Sequence, residues 1–470
     1  MRNRVRSHVV ALCVLTAACA GAESYDLVVE NGRVVDPATG LFEVANVGVS
    51  DGSIAEISNE RMTGARVIDA TGLVVAPGFI DLHEHGQSDE AYALMVRDGV
   101  TTALELEVGT ADVDGWYAAR AGGQRVNHGV SVGHMQVRME VLDDPGTGLT
   151  PAGVGGSAAA TPEQLDAIED GIRRGLEQGA LAVGFGTAYT PGAEMSEVER
   201  MFDVAGEYGA SVHIHMRGSV AGLDSTITAA RNAGAPLHIV HVNSSAGGAI
   251  DDFLAAIQAA RDDGQDVTTE TYPYGAGMTE ITSALFDDWE SWPEERFADH
   301  QLVSTGERLN RQTFGQARAR GGTVIIHGRT EEMTRAAVGS PLTMIASDGF
   351  IENGRGHPRT SGSYSKVLGR YVRDEGLLDL EEAVAKMTIM PARRLDDLTP
   401  AFERKGRLQE GMDADITIFD PATVIDRSTY MDATIPAVGI PYVIVGGVLV
   451  VDGGELTDAR PGVGVRAPTR

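Results

Sequence analysis

The sequence predicts an α/β protein, a TIM (β/α)8 barrel with a small β-sandwich domain formed by both chain ends. The barrel is predicted because strand-like and helix-like segments alternate between residues 74 and 346. The sandwich is predicted because short apolar runs, separated by turn residues, lie near both termini. A chain of 470 residues is long enough to bury a barrel core and a second, smaller core.

Four segments are predicted along the chain. Residues 1–20 are typical of a signal peptide, residues 21–75 and 401–465 of the two parts of the sandwich, and residues 76–400 of the barrel. The first segment has arginines before an apolar core that is too short to span a bilayer. Cys19 ends an imperfect lipoprotein box that overlaps an A-x-A-like cleavage site. We therefore expect export, either to the periplasm or to the cell envelope through a lipid anchor at Cys19.

Composition narrows the classes of function. The formal net charge of -29 at pH 7 repels nucleic acid and anionic lipid, so neither is expected as a partner. Both cysteines, Cys13 and Cys19, lie in or beside the signal segment, so no disulfide, thiolate ligand or cysteine nucleophile is expected in the rest of the chain. A small-molecule substrate is expected instead, and a homo-oligomer is one alternative for the assembly.

The chain ends show the alternation of antiparallel strands. Residues 25–57 contain two hairpin signals, Asn31-Gly32 and Asp51-Gly52, between alternating apolar runs. Residues 411–421 and 442–454 repeat this pattern. We expect the two ends to combine in one sandwich, with two unrelated β appendages as the less economical alternative.

The central segment predicts about nine βα units, counted from residue 74. One predicted helix begins with a capping box, in which Thr161 precedes Pro162 and Gln164 follows three residues after the cap. The strands predicted after the first are residues 100–108, 129–137, 181–184, 211–215, 237–242, 267–271, 323–327 and 342–346.

Histidines mark the ends of these strands. His83 and His85 alternate, so both project from one face of the first strand. His215, His241 and Asp348 lie at or just after the ends of three later strands. A single histidine is more often a core or surface residue, but the C-terminal strand ends of a barrel meet at one mouth. The five residues together therefore predict a divalent metal site, for which zinc is favoured.

The second predicted strand adds two acids on one face, Glu105 and Glu107. An inward carboxylate without a partner would be costly to bury, and a nearby metal ion explains both. Glu107 lies nearer the mouth, so it is the preferred ligand and a candidate to bridge two ions, with Glu105 in reserve.

Longer stretches of the chain extend this pattern. They read APGFIDLHEHG, RDGVTTALELEVG, VHIHMRG, PLHIVHVNSS, TYPYGAG, IASDGF, HPRTSGSYSKVLGRYVR and GRLQEGMDADITIFDP. Together they resemble the amidohydrolase superfamily and, within it, the N-acyl-D-amino-acid deacylase (D-aminoacylase) branch. The resemblance implies one or two zinc ions held by the HxH pair, His215 and His241, with Asp348 as the catalytic acid/base. It also implies that Arg359 and Tyr272 contact a substrate that carries a carboxylate.

The chain departs from this family at the metal and at the substrate. The family's bridging ligand is a cysteine, whereas an ungapped match places Val108 there and Glu107 just before it. A glutamate is also anionic, donates oxygen and can bridge two ions. The family lysine two residues after the sixth-strand histidine is Asn243 here, and a family serine is Met278. Two of the four carboxylate contacts that the resemblance implies are therefore absent.

We predict a metal-dependent hydrolase that cleaves an amide bond of a small N-acyl amino acid or of a dipeptide. Arg359, Tyr272, Asn243 and Arg217 are the predicted substrate-binding residues, and zinc is the favoured ion although another divalent metal is an alternative. Two other functions stay open: a cyclic amide or lactone hydrolase of the same superfamily, and a non-catalytic exported binding protein.

Overall fold

The computed structural model describes residues 24–146 and 148–469. The predicted signal peptide, the lipoprotein box and both cysteines lie outside the described residues, so export and lipid anchoring stay predictions. Within the two described ranges, every helix is too short or too polar to cross a membrane.

Eight parallel strands form the central sheet, and their order in the sheet follows their order in the chain. The first and last strands meet, because Asp348 donates its backbone N–H to the His83 carbonyl at 2.7 Å and His85 donates to the Gly349 carbonyl at 2.7 Å. These bonds join the two edges, which confirms the predicted TIM barrel. The barrel strands are Phe79–Asp81, Val100–Thr110, Asn127–Gly133, Ala182–Gly186, Ser211–His215, Leu237–Ile239, Val267–Thr271 and Thr343–Ile345.

Helices surround the barrel and bury their apolar faces on it. The helix Pro162–Glu177 has the predicted capping box, with Thr161 and Gln164 each bonded to the backbone of the other. Its buried residues join those of the neighbouring strands in one core. The other α-helices are Asp89–Arg97, Val113–Ala118, His134–Val141, Val154–Ser157, Met195–Tyr208, Val220–Ala233, Val242–Ala246, Ile250–Asp262, Arg311–Arg320, Glu331–Gly339, Arg359–Lys366, Leu380–Met387 and Ile389–Leu395.

One predicted barrel strand lies elsewhere. The strand Thr323–Ile326 pairs antiparallel with Gly277–Glu280 and with His300–Leu302, in a separate three-stranded sheet. The prediction of a ninth βα unit was wrong, because a short apolar run has the same appearance in a parallel and in an antiparallel sheet. We call residues 272–330 the insertion, since they leave the seventh barrel strand and return to the helix before the eighth. It has an aromatic core of its own, which includes Phe286, Trp292, Phe297 and Phe314.

Both chain ends contribute to one nine-stranded sheet, which confirms that the two ends combine in one unit. The strand Val74–Pro77 joins the two halves, because it pairs with Ser24–Asp36 on one side and with Ile416–Phe419 on the other. Side chains from both halves form one buried cluster. The remaining strands of this sheet are Leu41–Ser50, Ser53–Ser58, Thr63–Asp69, Tyr442–Val445, Val448–Asp452 and Glu455–Leu456.

The two hairpin predictions had different outcomes. Asp51-Gly52 does connect two antiparallel strands, with φ of 50° and 73° at its two residues. The hairpin predicted at Asn31-Gly32 was wrong, because the strand Ser24–Asp36 continues through it. Asn31 has φ of 60°, and the register shifts between Val29 and Gly32. The left-handed residue therefore makes a β-bulge and not a turn.

Candidate metal centre and substrate cavity

Strand ends bring six predicted residues to the barrel mouth. Their nitrogen and oxygen atoms form two groups, each compact enough to hold one ion, with ligand atoms within 4.8 Å of one another. The first group is His83, His85, Glu107 and Asp348, and the second is Glu107, His215 and His241. Glu107 belongs to both groups, which is the position of a bridging carboxylate.

All four residues of the first group are buried. The Nε2 atoms of His83 and His85 are 3.1 Å apart. Oε2 of Glu107 lies 2.6 Å from Nε2 of His83, and Oδ1 of Asp348 lies 3.5 Å from that nitrogen and 3.4 Å from Nε2 of His85. Two imidazoles and two carboxylates that converge in this way suit a divalent transition metal.

The second group uses both oxygens of the same carboxylate, since Nε2 of His241 lies 3.7 Å from Oε2 of Glu107. Oε1 of Glu107 lies 3.2 Å from Nδ1 of His215, and that nitrogen lies 3.0 Å from Nε2 of His241. The two candidate ion positions are therefore adjacent and share one anionic bridge. Among the described residues, both groups consist of histidines and carboxylates alone.

Two further acids orient the histidines of the HxH pair. Nδ1 of His83 lies 2.5 Å from Oε1 of Glu270, and Nδ1 of His85 lies 2.6 Å from Oε2 of Glu105. Such a carboxylate fixes the tautomer and ring orientation of a metal-binding histidine. Glu105 also accepts N–H bonds from Val108 and Gly109, at 3.0 and 3.4 Å. The structure thus separates the two acids of the second strand: Glu107 faces the candidate ions, and Glu105 holds His85.

Burial and charge oppose each other at these groups. Burial alone would lower the pKa of His83, but Asp348, Glu270 and Glu107 raise that pKa well above its ordinary value. Burial alone would raise the pKa of Glu107, but His83 and His215 hold it well below its ordinary value. The carboxylates therefore carry negative charge at neutral pH, which attracts a divalent cation as it attracts a proton.

The backbone is strained at two of the six positions. His241 and Asp348 have φ of 34° and 50°, a left-handed conformation that is unfavourable for residues other than glycine. Both residues lie in the segments that leave the sixth and eighth barrel strands. Strain of this kind is typical of residues that the surrounding structure holds for function.

A cavity of about 290 Å³ opens beside the two groups. Barrel loops form one part of its wall, and the insertion forms the other. The lining residues are His85, Glu107, Val108, Leu149, Thr150, Ala188, Tyr189, His215, Met216, Gly218, His241, Ser244, Ser245, Tyr272, Gly277, Met278, Thr279, Glu280, Leu285, Thr323, Ile326, Arg329, Asp348, Phe350 and Arg359.

Arg359 and Tyr272, both predicted to bind substrate, contact each other in this wall. The Arg359 guanidinium carbon lies 4.6 Å from the Tyr272 ring centroid. Arg359 is 1% exposed, and its Nη2 lies 2.8 Å from Oδ1 of Asp348. Its Nε and Nη1 have no hydrogen-bond partner among the described residues.

The other two predicted substrate-binding residues are absent from the lining. Asn243 is buried beneath it and donates its side-chain amide to the Tyr272 carbonyl at 3.0 Å. Arg217 donates to backbone carbonyls of the loop after the fourth barrel strand, at Thr187, Thr190 and Ala193. Both residues therefore support the wall and do not face the cavity, because their side chains satisfy backbone carbonyls.

Arg329 lines the cavity and was not predicted. Its Nη2 donates to the Tyr272 hydroxyl at 2.6 Å, and its Nη1 donates to Oγ of Ser244 at 3.2 Å. It lies in the segment that leaves the strand Thr323–Ile326, which was predicted to belong to the barrel. A charged residue just past a strand end was the available signal.

Comparison with known proteins agrees with this geometry. The profile described as Amidohydrolase family matches residues 66–128 and 133–451. The chain belongs to the amidohydrolase family. It is therefore an enzyme of a family that acts on carbon–nitrogen bonds, and not the non-catalytic binding protein that the sequence alone left open.

Two curated relatives of this amidohydrolase come from Alcaligenes xylosoxydans xylosoxydans. The N-acyl-D-glutamate deacylase is 30% identical over 91% of this chain and 94% of the relative. The D-aminoacylase is 30% identical over the same two shares, 91% and 94%.

Solved structures show the same fold. The N-acyl-D-glutamate deacylase of Bordetella bronchiseptica, complexed with zinc and a phosphonate inhibitor, has a TM-score of 0.81 and 28% identity over 95% of this chain and 100% of that chain. A D-aminoacylase has a TM-score of 0.79 and 26% identity over 94% of this chain and 100% of that one. Together with the ligand cluster, these relatives show that this amidohydrolase uses a divalent metal.

Proposed function

We propose that this amidohydrolase is a zinc-dependent deacylase that releases the amine from small N-acyl amino acids, with dipeptides as alternative substrates. The observation that carries the proposal is one continuous site: two adjacent ligand groups share Glu107, and a cavity beside them is lined by Arg359 and Tyr272. Relatives that are N-acyl-D-glutamate deacylase and D-aminoacylase support the same reaction class.

The donor atoms fit zinc, since imidazole nitrogens and carboxylate oxygens are its common protein ligands. When bound, the ion would lower the pKa of water toward neutrality and polarise the substrate carbonyl. The residues that would hold the metal are those of the two groups, with Glu107 common to both: His83, His85, Glu107, His215, His241 and Asp348. Glu270 and Glu105 would keep the HxH pair in the orientation that leaves both Nε2 atoms free to bind.

Asp348 is placed to move the proton. Its Oδ1 lies between the HxH pair and Arg359, at the edge of the cavity where a scissile amide would lie. The carboxylate would accept a proton from the attacking water and return it to the leaving amine. Burial would raise the pKa of Asp348, but Arg359 and His83 hold it below its ordinary value, which keeps the carboxylate free to accept that proton.

The wall away from the ligand groups favours an apolar side chain on the substrate. The loop after the helix His134–Val141 contributes Leu149 to the lining, and the insertion contributes Met278, Leu285 and Ile326. Glu280, the acid in this part of the wall, already accepts backbone N–H bonds from Leu149 and Thr150 at 2.8 and 3.1 Å. We propose N-acyl derivatives of amino acids such as methionine or leucine as better substrates than those of glutamate.

A hydrolysis screen tests the proposal. The zinc-loaded enzyme is mixed with D- and L-N-acetyl amino acids, dipeptides and a hydantoin, and amine release is measured. Release from at least one acyclic amide is expected, with Glu107→Gln enzyme as the inactive control. Turnover of the hydantoin alone would instead assign the enzyme to cyclic amides, and no release from any compound would overturn the deacylase proposal.

A further inference from the structure

The cavity contains two cationic side chains whose charges are balanced differently. Arg359 is paired with Asp348 at 2.8 Å, so this pair has no net charge to offer an anion. Arg329 forms no ion pair with any carboxylate of the described residues, and its side-chain partners are the hydroxyls of Tyr272 and Ser244. Of the two arginines in the lining, Arg329 is therefore the one without a carboxylate partner in the described ranges.

The two arginines flank one phenol. The guanidinium carbons of Arg329 and Arg359 lie 5.5 and 4.6 Å from the ring centroid of Tyr272. Buried guanidinium atoms on both residues lack a hydrogen-bond partner in the described ranges: Nε of Arg329, and Nε and Nη1 of Arg359. These free N–H groups lie on both sides of Tyr272, and a carboxylate, which has two acceptor oxygens, could accept hydrogen bonds from them.

The insertion fits closely around Arg329. The backbone N–H of Arg329 donates to the Gly275 carbonyl at 3.2 Å. A Cβ atom at Gly277 would lie 2.7 Å from Nη2 of Arg329, so the missing side chain leaves room for the guanidinium. This packing holds the charged group toward Tyr272 before any ligand arrives, which reduces the entropy lost on binding.

We propose that Arg329 binds the substrate carboxylate together with Arg359 and Tyr272, and that it supplies the net positive charge of that subsite. The inference rests on the proposed function, because it names how the acyl amino acid is held. Asp348 pairs with Arg359, and Asn243 carries no charge, so among these side chains the unpaired positive charge is that of Arg329 in the insertion.

Kinetics on matched substrates test this role. The best N-acetyl amino acid from the screen is compared with its carboxamide, which keeps the shape and removes the charge. In the Arg329→Gln enzyme, kcat/KM for the carboxylate should fall about 100-fold, mainly through KM, since one partner of a charge pair is lost. The carboxamide should change by less than about 3-fold, and Arg329→Lys should keep part of the preference.

The matched control is Arg320→Gln, the same change at an exposed arginine of the insertion, which should leave both substrates unaffected. An equal loss for carboxylate and carboxamide in Arg329→Gln would show that Arg329 only supports the wall, and would overturn the proposal. A loss that appears only with a second carboxylate on the substrate side chain would overturn it as well.

A binding measurement separates this proposal from the deacylase proposal. If the zinc-loaded enzyme hydrolyses no N-acetyl amino acid, the proposed function fails, and calorimetric titration with the same compounds still decides about Arg329. Tighter binding of the carboxylate than of the carboxamide, lost in Arg329→Gln, would support the subsite. Equal binding of both compounds by the wild-type enzyme would overturn it.

Discussion

Two regions of different chemistry enclose the cavity. One is the barrel rim, by which we mean the six residues of the ligand groups together with Glu105 and Glu270, and the other is the insertion. The rim contributes buried acids and histidines, and some of the histidines are held by a further carboxylate, as His83 is by Glu270. The insertion contributes an antiparallel sheet that presents apolar side chains, a glutamate and Arg329. Residues of the rim are held by the strand ends of the closed barrel, whereas the insertion packs around a separate small core.

This difference assigns the two tasks of the enzyme. Metal binding and proton transfer need ligand atoms within a few tenths of an ångström, which strand ends of a closed barrel provide. Substrate selection needs only a wall of suitable shape and charge, and this wall can change without disturbing the metal. We therefore expect changes at the rim to abolish turnover, and changes in the insertion to alter KM and substrate preference.

The largest effect is expected at the shared ligand. Glu107→Gln keeps the size of the side chain but removes the charge that both ligand groups use, so kcat should fall by about 1000-fold or more. Bound zinc, measured by elemental analysis of the purified protein, should fall with it. Glu140→Gln, at an exposed position of a barrel helix, is the control and should keep full activity and metal.

A smaller effect at the rim is expected behind the HxH pair. Glu270→Gln and Glu105→Gln remove the acids that orient His83 and His85, and each should lower zinc affinity or activity by about 10- to 100-fold. Competition with a chelator measures the affinity, and thermal melting checks the fold. If Glu105→Gln lost metal as completely as Glu107→Gln does, the assignment of Glu105 to an orienting role would be wrong.

A substitution in the insertion should raise KM and leave kcat nearly unchanged. Glu280→Gln weakens the bonds that Glu280 accepts from the backbone of Leu149 and Thr150, which hold the loop against the insertion. We expect KM to rise about 10-fold with kcat nearly unchanged, because charge-assisted bonds to one loop are lost. Glu295→Gln, exposed on the same insertion, should have no effect. A fall in kcat with constant KM would contradict the division between the two walls.

The smallest effect is expected at Asn243. Its side chain supports the Tyr272 carbonyl from below and does not face the cavity. Asn243→Ala should therefore change kcat/KM by about 3-fold or less, and steady-state kinetics with the best acyl amino acid would measure it. A loss as large as that expected for Arg329→Gln would show that Asn243 contacts the substrate directly.

The sequence predicted the rim better than the insertion for a physical reason. His83, His85, His215 and His241 lie at or just after the ends of barrel strands, and parallel strands bring their ends to one edge wherever the loops go. The strand Thr323–Ile326 carried no such constraint, since an apolar run does not reveal its partner strand. Arg329 was missed because its position depends on that pairing.

Within the rim, alternation placed both acids of the second strand on one face, and nearness to the mouth favoured Glu107 as the ligand. The orienting role of Glu105 required the structure, because it rests on the contacts of Glu105 with His85, Val108 and Gly109. Asn31-Gly32 shows the same limit, because its left-handed residue allows either a turn or a bulge and only the pairing decides.

The central claim is that histidines distant in the sequence surround a shared cation site with Glu107. Anomalous diffraction at the zinc edge, from crystals of the zinc-loaded enzyme, tests it most directly. We expect one or two peaks about 2.0 to 2.2 Å from Glu107 oxygens and from the facing nitrogens of His83, His85, His215 and His241. Crystals with no peak there, or with these side chains too far apart to share an ion, would contradict the account.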